Sequence, residues 1–176
     1  MIDLPATLRA RLSPAPQELL GTPADLVRWL VSAGMAESVP EAAPGDLLIA
    51  RALREAIYTL AGRKGGAQVK EARRTLNEIA AGTPAVPQFK SDGTAALTGP
   101  ASALLVTLAR EAVQLFGSDL AELVRKCQSP TCALYFLDTS RKGDRRWCSM
   151  SACGNKAKVA GFRQRQRRSR KAGRSK

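Results

Sequence analysis

Histidine is absent from the 176 residues, and aromatic side chains make up only 5% of them. The lack of histidine excludes every catalytic arrangement that needs an imidazole base and every zinc site with imidazole ligands. No apolar run approaches the roughly 20 residues that a membrane-spanning helix needs. No basic and then apolar leader stands at the N-terminus, so we expect a cytoplasmic protein without a membrane partner.

Cysteine is also scarce, but its copies are clustered. The four cysteines form two C-x4-C pairs separated by a fifteen-residue insert, namely Cys127, Cys132, Cys148 and Cys153. Zinc takes four soft ligands in a tetrahedron, and two short-spaced pairs can each supply one edge of it. The pattern therefore predicts one structural zinc ion. Four thiolates would leave no open position for water, which argues against a catalytic zinc.

Three other interpretations of the cysteines are weaker. Free buried cysteines would be scattered over core positions rather than gathered near one end of the chain. Disulfides form in exported proteins, and we expect this protein to stay in a reducing cytosol. A redox dithiol usually has C-x-x-C spacing, which is absent.

The segment around the cysteines predicts a small folded module. Residues 133–137 are apolar, 138–144 are rich in turn formers, and 145–147 would return as the second strand of a β-hairpin. Residues 156–170 contain no proline and predict a basic helix after the last ligand. A hairpin and a helix with two ligands at each end describe a treble-clef-like zinc module. We expect Phe136 and Trp147 to pack around the metal, with base stacking as the alternative.

These residues also resemble a known family. CQSPTC, YFLDTSRKGDRR and WCSMSACGNK are similar to the CGNR-type zinc finger, named for a Cys-Gly-Asn-Arg run at the last ligand. Lys156 stands in place of that arginine and keeps the charge, but it lacks the planar fork of donors. The resemblance implies a preceding helical ABATE domain and a stress-induced transcription regulator.

The rest of the chain predicts a mainly α (α+β) fold with one small β-hairpin. Apolar residues recur every three or four positions, and proline and glycine mark the helix ends. We predict helices at 23–33, 46–62, 67–81, 100–117 and 119–126, and a hairpin over 86–98 around Asp92-Gly93. No flexible linker precedes Cys127, so the zinc module should be docked on the helical part. We divide the chain into domains at 1–124 and 125–176.

The charged residues are divided unevenly between these two parts of the chain. Residues 1–124 hold 12 Lys and Arg against 13 Asp and Glu, whereas residues 125–176 hold 16 against 2. A net charge of +14 beside a zinc module favours a polyanionic partner over a merely solvated tail. The candidate contacts are Arg141, Lys142, Arg145 and Arg146 in the insert, and Lys156, Lys158, Arg163, Arg165, Arg167 and Arg168 after the last cysteine.

These observations together predict a zinc-containing transcription regulator that binds DNA and is not an enzyme. Its location would be the bacterial nucleoid, and the stress-related role rests on the resemblance. An RNA-binding or ribosome-associated protein is the alternative, because the same zinc scaffold would then bind RNA instead of DNA. An enzyme acting through the N-terminal domain is a third hypothesis, although no nucleophile and base arrangement is recognisable. The sequence leaves open a homodimer and a small-molecule effector of the N-terminal domain.

Overall fold

A computed structural model describes residues 2–62 and 65–173, with the side chains of the last helix described as far as Gln166. Its helices are α1 (Pro23–Ser32), α2 (Pro44–Ala61), α3 (Ala67–Ala80), α4 (Ala101–Phe116) and α5 (Asn155–Gly173). Its strands form three two-stranded antiparallel sheets: β1 (Leu8–Arg9) with β2 (Gln17–Glu18), β3 (Val86–Phe89) with β4 (Ala95–Thr98), and β5 (Val124–Lys126) with β6 (Tyr135–Leu137). The predicted mainly α fold is confirmed. None of the helices in the described part of the chain combines the length and apolarity of a membrane span.

Helix starts follow local hydrogen bonds. Thr22 and Asp25 form a reciprocal capping box at the start of α1. The predicted start of α2 at residue 46 is two residues late. The helix begins at Pro44, and the Asp46 carboxylate accepts a hydrogen bond of 2.8 Å from the amide of Ala43. Asp46 therefore satisfies the helix start from its third position, where a negative charge also favours the helix dipole.

The core lies between α1, α2 and α4. Helix α4 carries the widest apolar face, and α3 covers α2 and α4 with a narrower one. The largest fully buried side chains of α1, α2 and α4 are leucines and one isoleucine, namely Leu26, Leu30, Leu53, Ile57, Leu104, Leu105 and Leu108. Such a helical core is what the apolar periodicity predicted.

The predicted hairpin over 86–98 is present as β3 and β4. Val86 pairs with Thr98 and Phe89 with Ala95, and Gly93 takes a left-handed conformation with φ +79° in the turn. Asp92 accepts hydrogen bonds from the amide and the hydroxyl of Thr94. The Asp-Gly pair therefore forms the turn by the means expected of it.

The segment before the first cysteine differs from its prediction. Instead of a helix over 119–126, a 3₁₀ turn at Asp119–Leu123 leads into strand β5. Strand β5 pairs with β6, Val124 opposite Leu137 and Lys126 opposite Tyr135, so the expected pairing of 133–137 with 145–147 is wrong. Burial of Val124 against Ala61 and Leu115 outweighs the local helix preference.

Strands β5 and β6 also join the zinc module to the helical part. The Tyr135 ring meets the Tyr58 ring of α2 edge to face, with centroids 5.4 Å apart. A Cβ on Gly62 would lie 3.1 Å from the Tyr135 hydroxyl, which shows how closely the two parts pack. The predicted docking is confirmed, whereas the division into domains at 124 and 125 stays a prediction.

A buried ion-pair network ties the N-terminal segment to α2. Arg54 is only 4% exposed, and its guanidinium lies 2.7 Å from Glu18 and 2.8 Å from Glu55. Arg11 also binds Glu55 and covers the Tyr58 ring at 4.1 Å. Burial raises the pKa of both glutamates, but Arg54, joined by Arg11 at Glu55, outweighs burial and leaves each pKa below its ordinary value.

We expect Arg54→Leu to lower the free energy of unfolding by about 2 kcal/mol, because Glu18 and Glu55 each lose their buried cationic partner and keep only Arg51 and Arg11. Depressed carboxylate pKa values contribute stability that is present above about pH 4.5 and is lost as pH falls below it. Urea unfolding at neutral and acidic pH measures both effects. Arg74→Leu is the matched control, because Arg74 pairs with Glu71 and Glu78 at the surface. Equal effects of the two variants at neutral pH would contradict the account.

Candidate metal centre and nucleic-acid interface

The four cysteines converge on one point. Their Sγ atoms all lie within 4.8 Å of one another, although the two pairs are fifteen residues apart in the chain. Cys127 is buried, and the other three are half-buried. Cys127 follows β5 directly, Cys132 lies in the turn before β6, and the second pair lies just before α5.

The sulfur geometry fits a tetrahedral ion. A Zn–S bond of about 2.3 Å gives a tetrahedron with edges of about 3.8 Å. The Sγ of Cys148 lies 3.8 Å from that of Cys132 and 3.7 Å from that of Cys153. Both distances match this edge and exceed a disulfide bond by far. The cluster can therefore hold one zinc ion through four thiolates.

Backbone amides support the first pair of sulfurs. Burial raises the pKa of the Cys127 thiol, but hydrogen bonds from the amides of Cys148 and Ser129 outweigh burial and leave that pKa lowered. Burial raises the pKa of Cys132 and of Cys148, so these thiols are protonated at neutral pH without a metal. Zinc must displace these protons, so its affinity falls as pH falls.

The second pair is shaped by a tight turn into α5. The Ser149 hydroxyl accepts a hydrogen bond from the amide of Ala152, and Met150–Gly154 forms one π-helical turn that runs into the helix. A Cβ on Gly154 would lie 2.8 Å from the sulfur of Met150 and 3.2 Å from Trp147. A larger residue after the last cysteine would therefore have to displace the Met150 side chain and press on Trp147.

Asp138 and Arg145 brace the loop between the pairs. Asp138 is 2% exposed and accepts hydrogen bonds from Ser140 and from the amide of Arg145. The guanidinium of Arg145 donates to the carbonyls of Trp147 and Cys148 at 2.9 and 2.5 Å, and it covers the Phe136 ring at 4.7 Å. Arg145, a predicted nucleic-acid contact, is exposed, but its guanidinium is engaged by the module's own backbone.

The other predicted contacts of the insert are exposed. Arg141 and Lys142 lie at the tip of the loop that Asp138 closes. Arg146 donates to the side-chain carbonyl of Gln128 at 2.7 Å and lies 5.1 Å from the Trp147 ring centre. The three therefore present positive charge on the surface of the insert between the two cysteine pairs.

Helix α5 carries the remaining predicted contacts. Its side chains Lys156, Lys158, Arg163 and Arg165 are all exposed. Arg167 and Arg168 lie outside the residues whose side chains the structure describes. The helix begins one residue earlier than expected, directly after the π-helical turn that contains Cys153.

The two aromatic residues that flank the cysteines, Phe136 and Trp147, are not presented for base stacking. Phe136 is buried beneath Arg145, and Trp147 is half-buried beside Gly154 and Arg146. This agrees with the expectation that both rings pack around the metal centre.

Sequence reasoning missed several residues that support the site. Asp138 could have been recognised, because Asp-x-Ser favours a side-chain turn and only one other acid follows residue 124. The role of Tyr135 in docking could not have been recognised, because its partner Tyr58 lies far away in the chain. The sequence around Arg145 does not show whether its guanidinium binds backbone carbonyls or a phosphate.

Cys148→Ser or Cys153→Ser should unfold the C-terminal module and abolish nucleic-acid binding. A structural zinc site of this kind contributes on the order of 10 kcal/mol to folding, and one lost thiolate opens it. Metal content by mass spectrometry checks the loss of zinc, and circular dichroism checks the loss of structure. Full zinc content in either variant would show that the replaced cysteine is not a zinc ligand. The set of four ligands stays a prediction.

Arg145→Ala and Arg141→Ala should affect different properties, namely zinc retention in the first variant and DNA binding in the second. Loss of Arg145 frees two carbonyls beside the second cysteine pair, so the chelator concentration that removes half of the zinc should fall several-fold. Loss of Arg141 should leave zinc retention unchanged and weaken binding to a DNA duplex. A competition titration with a chromophoric chelator measures the first effect. Equal zinc retention in both variants would show that Arg145 does not brace the site.

Comparison with known proteins agrees with this architecture. Residues 1–119 match the ABATE model, described as "Putative stress-induced transcription regulator", and residues 124–166 match the CGNR zinc finger. Comparison with curated proteins gave no match. The zinc-finger match and the clustered thiols confirm the predicted cofactor, one zinc ion. With two thirds of its length matched by the first model, the chain belongs to the ABATE family and carries a CGNR zinc finger at its C-terminal end.

Proposed function

We propose that this protein is a transcription regulator that binds double-stranded DNA through its zinc module. One observation carries the proposal, namely the cationic surface around the metal centre. Of the two acids after residue 124, Asp138 is buried in its own hydrogen bonds, so Asp144 is the exposed carboxylate among many exposed cations. Such a surface attracts a polyanion, because each phosphate contact releases counterions.

The proposed role of zinc is structural. Four thiolates fill its tetrahedral coordination, so a bound ion has no position for a substrate. We propose a binding function rather than catalysis, and the cytoplasmic nucleoid as its place. The family description supports a stress-related regulatory role for the helical domain. A homodimer and a small-molecule effector remain part of this proposal.

Duplex DNA is favoured over single-stranded RNA because the module offers few exposed rings, and in the described part of the chain after residue 124 only Phe162 of α5 is exposed. Proteins that bind single-stranded RNA usually stack bases on exposed rings. Here Phe136 and Trp147 are both covered by arginines of the module. A cylindrical, exposed cationic helix instead matches the width of a major groove.

The test is binding of the zinc-loaded protein to duplex DNA and to single-stranded RNA across a salt series, with a genomic DNA pool as competitor. We expect affinity to fall steeply with salt, and a subset of genomic duplexes to survive at moderate salt. Sequencing of the retained DNA identifies the sites. Preference for RNA would favour the alternative function. If binding to every polyanion were lost equally as salt rises, the module would be only an electrostatic anchor.

A further inference from the structure

One face of helix α5 carries a row of residues that differs from its surroundings. Asn155, Val159, Phe162 and Gln166 follow one another at intervals of four, three and four residues. At about 100° per residue this spacing places them within a narrow arc of the helix. All four are exposed, including Val159 at 41% and Phe162 at 55%. We call them the central row.

The central row points away from the zinc module. Ala157 and Gly161 are half-buried, and they lie on the opposite side of α5. Past Gly161, every side chain of α5 that the structure describes is exposed. The apolar side chains of the row are therefore exposed and belong to neither buried cluster of the protein.

Cations lie on both sides of the central row. Lys156 and Arg163 lie along one side, and Lys158 and Arg165 lie along the other. A protein partner with an apolar surface would not need cations on both flanks. A DNA major groove is bordered by phosphates on both sides, and its floor presents thymine methyl groups and adenine edges. The distribution of charge is complementary to this ligand.

We propose that the central row reads A·T base pairs in the major groove. Val159 and Phe162 would contact thymine methyl groups, and Asn155 and Gln166 would bind the edges of adenines, while the flanking cations hold the phosphates. This inference rests on the proposed function. The row is about 16 Å long, so it spans about five base pairs.

The experiment compares short A·T-rich duplexes with the same duplexes in which deoxyuridine replaces thymine, which removes only the methyl groups. Fluorescence anisotropy with the full-length zinc-loaded protein measures both affinities. We expect the substitution to weaken binding of the unaltered protein about four-fold for each contacted methyl. Val159→Ala and Phe162→Ala should each bind thymine duplexes more weakly and lose the share of the difference between the two DNAs that comes from that residue's methyl contact.

Gln166→Ala and Gln164→Ala form the matched pair for the polar contacts. Both glutamines are exposed on the same helix, but Gln164 lies opposite the central row. We expect Gln166→Ala to lower affinity for A·T-rich duplexes about five-fold or more relative to G·C-rich duplexes. Gln164→Ala should leave that ratio unchanged. Zinc content shows that each variant is folded.

The outcomes separate this inference from the proposed function. The unaltered protein could bind thymine and deoxyuridine duplexes equally well while its salt-dependent duplex binding is intact. That result would overturn the inference that the central row reads base pairs, and it would leave the proposed function standing. A change of oligomeric state in Phe162→Ala with unchanged DNA binding would overturn it as well and identify a protein interface. Absence of duplex binding at any salt would overturn both.

Discussion

Closure of four thiolates on one zinc ion is the constraint on which the C-terminal module depends. Apart from strand residue Val124, Phe136 is the one large apolar side chain that is buried in the described part of the chain from Val124 onward. So small a core cannot offset the conformational entropy of folding a segment of this length. The metal replaces the missing core, and Asp138 and Arg145 then satisfy the polar groups of the loop that it closes.

The same constraint relates the two ends of the module to each other. Strands β5 and β6 hold the first cysteine pair against the helical domain through Val124 and Tyr135. The second pair runs directly into α5. One ion shared by both pairs therefore fixes the direction of the basic helix relative to α2 and α4. A regulator needs such a link, because an event in one part can reach the other only through packed elements with defined positions.

Much of this arrangement could be predicted from the sequence, because its signals are local. Apolar periodicity, the prolines and glycines at the helix ends and the Asp-Gly turn predicted α1 to α4 and the hairpin over 86–98, and cysteine spacing predicted the metal centre. The strand over Val124–Lys126 could not be predicted, because its partner and its burial come from distant residues. The sequence also did not separate Arg145, which binds carbonyls two and three residues away, from Arg141, which faces solvent, because residue type and spacing do not show which way an arginine side chain turns.

X-ray absorption at the zinc edge of the intact protein tests the central claim most directly. The account predicts one zinc ion per chain with four sulfur neighbours at about 2.3 Å and no nitrogen or oxygen in the first shell. An oxygen or nitrogen neighbour, or fewer than four sulfurs, would contradict the closed four-thiolate centre. The position of α5, and the DNA-binding role proposed for it, would then need another explanation.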